Sequence, residues 1–137
     1  AADAFARVLD GGDKAVYGVA IGYPEHDGPL TSSRIELPRP HPLAATGPQV
    51  RLGVLGAGSF AGNELLPLVA RQGVRLRGIA SATGVRARAL ADKYRFEYCA
   101  ADAAQVIDDA ETDAVLILTR HDTHAEFAAR ALAAGKH

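Results

Sequence analysis

The run from Val50 to Asn63, VRLGVLGAGSFAGN, has the residue types and spacing to hold a phosphate through backbone alone. A short apolar stretch, Val50 to Leu55, opens onto Gly56-Ala57-Gly58-Ser59-Phe60-Ala61, and a helical pattern starts at once. Gly56 permits a tight turn, Gly58 lets the backbone come close to a pyrophosphate, and Ala61 keeps the helix near the strand. The helix N-terminus then presents free N–H groups and a positive dipole end. Glycine turns also join strands to helices where no ligand binds. It is the strand–turn–helix context that points to a dinucleotide.

Two further groups of residues carry chemistry. Between Arg75 and Arg95 lie six basic residues (Arg75, Arg77, Arg86, Arg88, Lys93, Arg95) against one acid, Asp92, and from Glu97 to Asp113 there are six acids and no base. Two solvated helix faces of opposite sign are the expectation for most of these charges. The basic segment nevertheless falls where a nucleotide's ribose should lie. His121 and His124 flank Asp122, but two histidines at a loop-to-helix junction with no third ligand nearby do not make a metal site. The lone Cys99 sits in an apolar, strand-like stretch, where an inert buried thiol is expected.

The elements that must position these residues alternate from Val50 onward. Strands are predicted at Val50–Leu55, Leu76–Ser81, Glu97–Ala100 and Ala114–Leu118, the last so apolar that it should be fully buried in a parallel sheet. The first helix, capped by Ser59, should run to Gln72, bend at Pro67 and stop at Gly73. A second covers Val85–Tyr94 with Val85, Ala89 and Leu90 inward. Asp102-Ala-Ala-Gln105 has capping-box spacing for a third helix carrying Val106 and Ile107. Thr123-His-Ala-Glu126 repeats that spacing for a last helix, with Phe127, Ala131 and Leu132 inward and Gly135 at its end. This is βαβαβαβα, an α/β fold with a doubly wound, mainly parallel sheet of the Rossmann type, and ligands are expected at the carboxyl ends of its strands.

Before Val50 the pattern changes. Residues 1–23 read as a helix closed by Gly11-Gly12 and then a strand, Ala15–Tyr23. Residues 24–48 carry six of the seven prolines and read as a linker. Residues 49–137 form the nucleotide-binding unit. A chain that opens in mid-helix without methionine looks like a piece of a longer one. Its 137 residues, 48% hydrophobic and 23% charged, suit one sizeable core. A net charge of −1 argues against a general nucleic-acid or membrane-surface role. No apolar stretch nears the ~18 residues of a membrane span, no signal peptide is visible, and the cytoplasm is the default location.

The GxGxxA turn, Thr119 with His124, and the closing AARALAAGKH resemble the N-terminal domain of the glucose-fructose oxidoreductase / inositol dehydrogenase (Gfo/Idh/MocA) family over Val50–His137. The resemblance implies an NAD(P)-dependent oxidoreductase acting on a sugar or polyol-like alcohol. It further implies a catalytic lysine in a Glu-Lys-Pro strand after the GKH, and a substrate-binding sheet domain beyond it. The chain stops at His137, so no catalytic residue is expected in this fragment, which alone should be inactive. The sheet is correspondingly expected to be truncated after its fourth βα unit. Residues 1–23, AFARVLDGG and a strand, are similar to the end of a zinc-type medium-chain alcohol dehydrogenase, which suggests a bi-domain parent.

The cofactor-binding residues so implied are Gly56, Gly58, Ser59, Phe60 and Ala61 at the turn, Ser81, Thr83 and Arg86 after the second strand, and Thr119, Arg120, His121 and His124 after the fourth. Members that prefer NAD carry a ribose-gripping acid where this chain has Ser81. With Thr83, Arg86 and Arg88 following, NADP is favoured over NAD, a hydroxyl and an arginine taking the 2′-phosphate. Thr119-Arg120-His121 replaces the Thr-Pro-Asn of many members. The partners expected are the dinucleotide and, in the parent enzyme, a small-molecule substrate, with no nucleic acid and no membrane; homo-oligomerisation is compatible with the sequence. Two rivals are a noncatalytic dinucleotide-binding regulatory or scaffold module and an S-adenosylmethionine methyltransferase; the missing acid at Ser81 counts against the latter. Ala15–Tyr23 is expected to pair with an edge of the sheet, in its own molecule or a neighbour's.

Overall fold

Short apolar runs, each followed by a glycine or an acidic helix start, fold into parallel strands with helices crossing between them. The computed structural model describes residues 33–38 and 49–137, which belong to one compact unit. The helix and strand read over residues 1–23, and the edge pairing expected of Ala15–Tyr23, lie outside the described residues. Within the proline-rich stretch read as a linker, Arg34–Glu36 is a strand, β1. The others are β2 (Arg51–Leu55), β3 (Arg75–Ala80), β4 (Tyr98–Ala100) and β5 (Ala114–Ile117), in the order β1-β4-β3-β2-β5. β2 to β5 run parallel, and β1 pairs antiparallel with β4, Ile35 opposite Cys99.

Helices cover both faces. On one, α1 (Ala61–Leu65 continuing into Leu66–Val69) and α2 (Val85–Tyr94) close over Val54, Leu66, Ile79, Ala87, Ala91 and Phe96. On the other, α3 (Ala104–Ile107) and α4 (His121–Ala133) cover Leu55, Ala80, Tyr98, Val106 and Ile107. This second face is thin because glycine lines it. A Cβ at Gly78 would lie 2.2 Å from Tyr98 Cζ, and one at Gly53 would lie 2.4 Å from Val106 Cγ1. The Tyr98 ring therefore rests directly on β3, and its hydroxyl donates to Gln105 O at 3.1 Å.

α1 departs from the expected helix. It is π-helical over Ala61–Leu65 and α-helical only over Leu66–Val69. The wider turn precedes Pro67, whose ring would clash with the carbonyl four residues back in a regular helix, so the bend takes this form. Ser59 makes no side-chain cap, and the helix ends at Val69, before Gln72, with Gly73 at φ +71°.

Helix faces and starts also differ from the expected ones. α2 has its predicted bounds, but Ala87, Leu90, Ala91 and Tyr94 face inward while Val85 is 83% exposed and Ala89 also exposed. The buried set keeps i, i+3, i+4, i+7 spacing, and Val85 opens the helix outside that stripe. α4 starts at His121, two residues before the expected cap, and Leu132 is exposed beside buried Ala131. Thr123 donates back to Thr119 Oγ1 (2.7 Å) and Arg120 O (2.9 Å) instead of capping. Half of the Asp102–Gln105 capping box forms: Asp102 accepts from Ala104 N–H at 2.9 Å, while Gln105 turns away to Ser33. β5 is half-buried, not fully buried, because it lies at the edge of the sheet. His137 runs along that edge, donating to Asp113 O (3.0 Å) and accepting from Val115 N–H (2.8 Å).

Most of the opposed charges are exposed (Arg86, Arg88, Lys93, Arg95, Asp102, Asp108 and Glu111), but Arg75 and Arg77 are drawn into an ion cluster instead. β3 carries an extra residue, Arg77, where its register with β2 slips from Leu52–Leu76 to Gly53–Gly78. Arg77 thereby meets Glu97 (2.5 Å), Asp109 (2.9 Å) and Glu111 (2.8 Å), and Arg75 also binds Glu97. Burial alone would raise the Glu97 and Asp109 carboxyls. Hydrogen bonds from Arg75 and Arg77 outweigh it at Glu97, and the Glu111 N–H with Arg77 outweighs it at Asp109; both are held below the ordinary range. Arg51 grips Asp113 through two guanidinium bonds and its own backbone N–H, which lowers that carboxyl too. Burial pushes the Cys99 thiol up, as an inert core cysteine requires.

Candidate functional site

The loops that follow β2, β3, β4 and β5 converge at the carboxyl edge of the sheet around a cleft of about 810 Å³. At its base the Gly56 N–H donates to Ala80 O (2.8 Å), and Leu118 N–H donates to Leu55 O (2.7 Å), which fixes the turn between its neighbouring strands. Gly56 has φ +104°, and a Cβ there would meet Leu118 O at 2.5 Å. Its glycine is thus required by the protein itself. Gly58 is different. A Cβ at Gly58 would find no protein atom within 4 Å, although the residue lines the cleft. Ala61 is 1% exposed, packed beneath the turn, and Gly62 N–H donates to Gly58 O as the helix begins.

Of the residues singled out in the sequence, Gly56, Gly58, Ser81, Thr83, Arg86, Thr119 and Arg120 line the cleft together. Ser81 and Thr83 hydroxyls stand 3.5 Å apart in a turn closed by Gly84 N–H to Ser81 O. Ser59, Phe60, Ala61, His121 and His124 do not line it. Phe60 is 62% exposed. His124 Nε2 bonds Thr119 O at 3.0 Å, so it braces a cleft residue from behind. The His121 ring stands edge-on to His124 at 5.4 Å, and no metal-binding group of histidine, cysteine or carboxylate occurs among the described residues. Arg88 pairs with Asp92 (2.8 Å) on the exposed side of α2, which leaves Arg86 as the arginine of that helix in the cleft.

The structure adds residues that sequence reasoning did not select. Asp102, Ala101 and Ala103 form a wall after β4, and Asp122, Thr123 and Phe127 contribute from the start of α4. Their signal was positional, since each follows the carboxyl end of a strand, where α/β sheets gather their ligands. The cleft so assembled offers an open glycine backbone and a helix N-terminus to a phosphate, with hydroxyls, two arginines and two aspartates around it.

This arrangement defines a dinucleotide-binding domain of the Rossmann class. Residues 50–137 match the family model described as oxidoreductase family, NAD-binding Rossmann fold, and the chain belongs to this Gfo/Idh/MocA family. It is 33% identical over 88 residues to inositol 2-dehydrogenase 2 of Saccharopolyspora erythraea, covering 64% of this chain and 26% of that protein. A 4-carboxy-2-hydroxymuconate-6-semialdehyde dehydrogenase of a Sphingobium species is 32% identical, with 64% and 28% covered. Among solved structures, a 3-ketoreductase (KijD10) of Actinomadura kijaniata in complex with NADP and TDP-benzene superposes with a TM-score of 0.62 at 28% identity, covering 66% of this chain and 28% of that one. This chain thus spans little more than a quarter of the length of these relatives. No helix among the described residues is long and apolar enough to cross a membrane.

Proposed function

We propose that residues 49–137 are the cofactor cradle of an NAD(P)-dependent oxidoreductase acting on a sugar or polyol-like alcohol, and that the cradle prefers NADP. One observation carries the nucleotide reading: Gly58 lines the cleft, yet its missing side chain leaves room that no protein atom fills. A strand-to-helix turn that reserves such room suits a pyrophosphate lying against backbone N–H groups. When bound, the nicotinamide supplies a carbon that takes or gives hydride. The chain's own residues bind and orient. The turn holds the pyrophosphate, Ser81 and Thr83 offer hydroxyls to the ribose side, Arg86 takes the 2′-phosphate, and Thr119 and Arg120 form the wall toward the nicotinamide. The inositol dehydrogenase relative and the NADP-bound ketoreductase support the substrate class and the cofactor preference. On this reading the segment alone does not turn over substrate.

Calorimetric titration with NADP and with NAD tests the proposal. Wild-type chain should bind NADP more tightly. Gly58→Leu, which fills the reserved space, should abolish binding of both while the far-UV spectrum stays unchanged. Equal affinity in wild type and Gly58→Leu would sink the assignment, and equal affinity of the wild type for the two dinucleotides would sink the preference.

A further inference from the structure

Ser33–Leu37 lies outside residues 50–137, which carry the family match, yet it grips one wall of the cleft. Its sequence alternates as an edge strand should. Leu37, 7% exposed, joins the core with Phe96 and Cys99. From the other face the Arg34 guanidinium lies 3.6 Å from the Tyr98 ring centroid and 3.6 Å from Asp109. The backbone is tied at both ends, Leu37 N–H to Glu97 O and Ala101 N–H to Ser33 O, each at 2.8 Å. Ser33 makes one contact more: its hydroxyl accepts from the Gln105 side-chain amide.

Ser33 therefore holds the chain on both sides of Asp102–Ala103, at Ala101 and at Gln105. Those two residues and Ala101 line the cleft. They join a strand of three residues to a helix of four, and neither element is stable by itself. β3 supports β4 on one side, through pairing that extends to Ser81 N–H and Ala100 O (3.1 Å). β1 supports it on the other.

We propose that Ser33–Leu37 is a positioning strap that fixes the Ala101–Ala103 wall of the cleft, so that dinucleotide affinity depends on a segment outside the dinucleotide fold. The proposal rests on the cofactor reading above, and its test separates the two. In the full chain, Leu37→Pro removes the N–H that bonds Glu97, and Arg34→Glu sets an acid beside Asp109 and Glu36 and takes the cation off Tyr98. Arg34→Lys keeps the charge. Amide exchange is followed at residues 98–107 and, as a reference, at 51–55, and each chain is titrated calorimetrically with NADP and NAD.

Leu37→Pro and Arg34→Glu should speed exchange at 98–107 about tenfold, leave 51–55 protected, and weaken binding by a similar factor, with Arg34→Lys close to wild type. Faster exchange with wild-type affinity, or weaker binding with protection intact, would overturn the strap. A wild-type chain that binds neither dinucleotide would overturn the cofactor reading and this coupling with it, so wild-type binding judges the first and the variants judge the second.

Discussion

Gly56→Ala and Gly58→Ala should have opposite consequences although the positions are two residues apart. At Gly56 the backbone sits at φ +104°, and a Cβ would lie 2.5 Å from Leu118 O, 2.6 Å from Leu118 C and 2.9 Å from Thr119 N. All three are backbone atoms, and Leu118 is fixed by its N–H bond to Leu55 O, so no flexible neighbour can yield. The dihedral costs about 1–3 kcal/mol and the forced overlap about as much again, giving roughly 2–6 kcal/mol of lost stability. At Gly58 there is nothing to collide with, and Gly58→Ala should shift stability by about 0.5 kcal/mol or less. Urea denaturation followed by far-UV circular dichroism reads both. With a slope of about 2 kcal/mol/M, Gly56→Ala should lower the midpoint by roughly 1–3 M or leave the chain unfolded. Gly58→Ala should melt with the wild type and lose dinucleotide affinity. Equal midpoints for the two variants would refute the steric reasoning, and strong destabilisation by Gly58→Ala would mean that the room at Gly58 serves folding.

Other perturbations follow from the same geometry. Arg86→Ala should remove a charge-assisted contact of about 1.5–3 kcal/mol to a 2′-phosphate, erasing most of the NADP preference while NAD binding holds, as read by parallel calorimetric titrations. Arg77→Met should cost about 3–5 kcal/mol in chemical denaturation, because Asp109 is left buried without its main cation and Glu97 with Arg75 alone, whereas Arg88→Ala on the exposed side of α2 should cause no measurable change. Since Glu97 and Asp109 are held below the ordinary carboxylate pKa of about 4, the stability they add is present above that value and lost as pH falls through it toward their lower folded values. Urea midpoints should therefore drop between pH 5 and 3, less steeply in Arg77→Met; a flat profile in the wild type would contradict the ion cluster. Cys99 should resist Ellman's reagent until the chain unfolds, and rapid labelling in native buffer would contradict its burial.

The elements with strong local signals were legible in the chain. Val85–Tyr94 folds with its predicted bounds, and the four parallel strands lie within a residue or so of theirs, because apolar runs and helical spacing report burial directly. Seven of the twelve candidate residues converge on one cleft, since the glycine turn and the strand ends fix their direction without tertiary detail. What was missed depended on partners distant in sequence. Arg75 and Arg77 read as solvated because the acids that neutralise them arrive some 20 to 34 residues later. Ala114–Leu118 reads as fully buried, but the strand order leaves Ala114–Ile117 half-buried at an edge. Arg34–Glu36, embedded among prolines, is only three residues long, too short for its alternation to stand out. Thr123 has capping-box spacing, but Thr119 and Arg120 O took its hydroxyl.

The Tyr98 ring resting on bare backbone at Gly78 has an evolutionary consequence. The two positions form a single steric unit spread over adjacent strands, with no slack between them. A methyl group at 78 is admissible only when 98 shrinks, and a smaller residue at 98 leaves a hollow unless 78 grows. Substitution at either site should therefore appear in descendants of this sequence only as a correlated pair. On the opposite face, under α1 and α2, ordinary side chains interdigitate and single changes can be absorbed one at a time. One side of this sheet is free to drift by small steps, and the other must move by coordinated jumps.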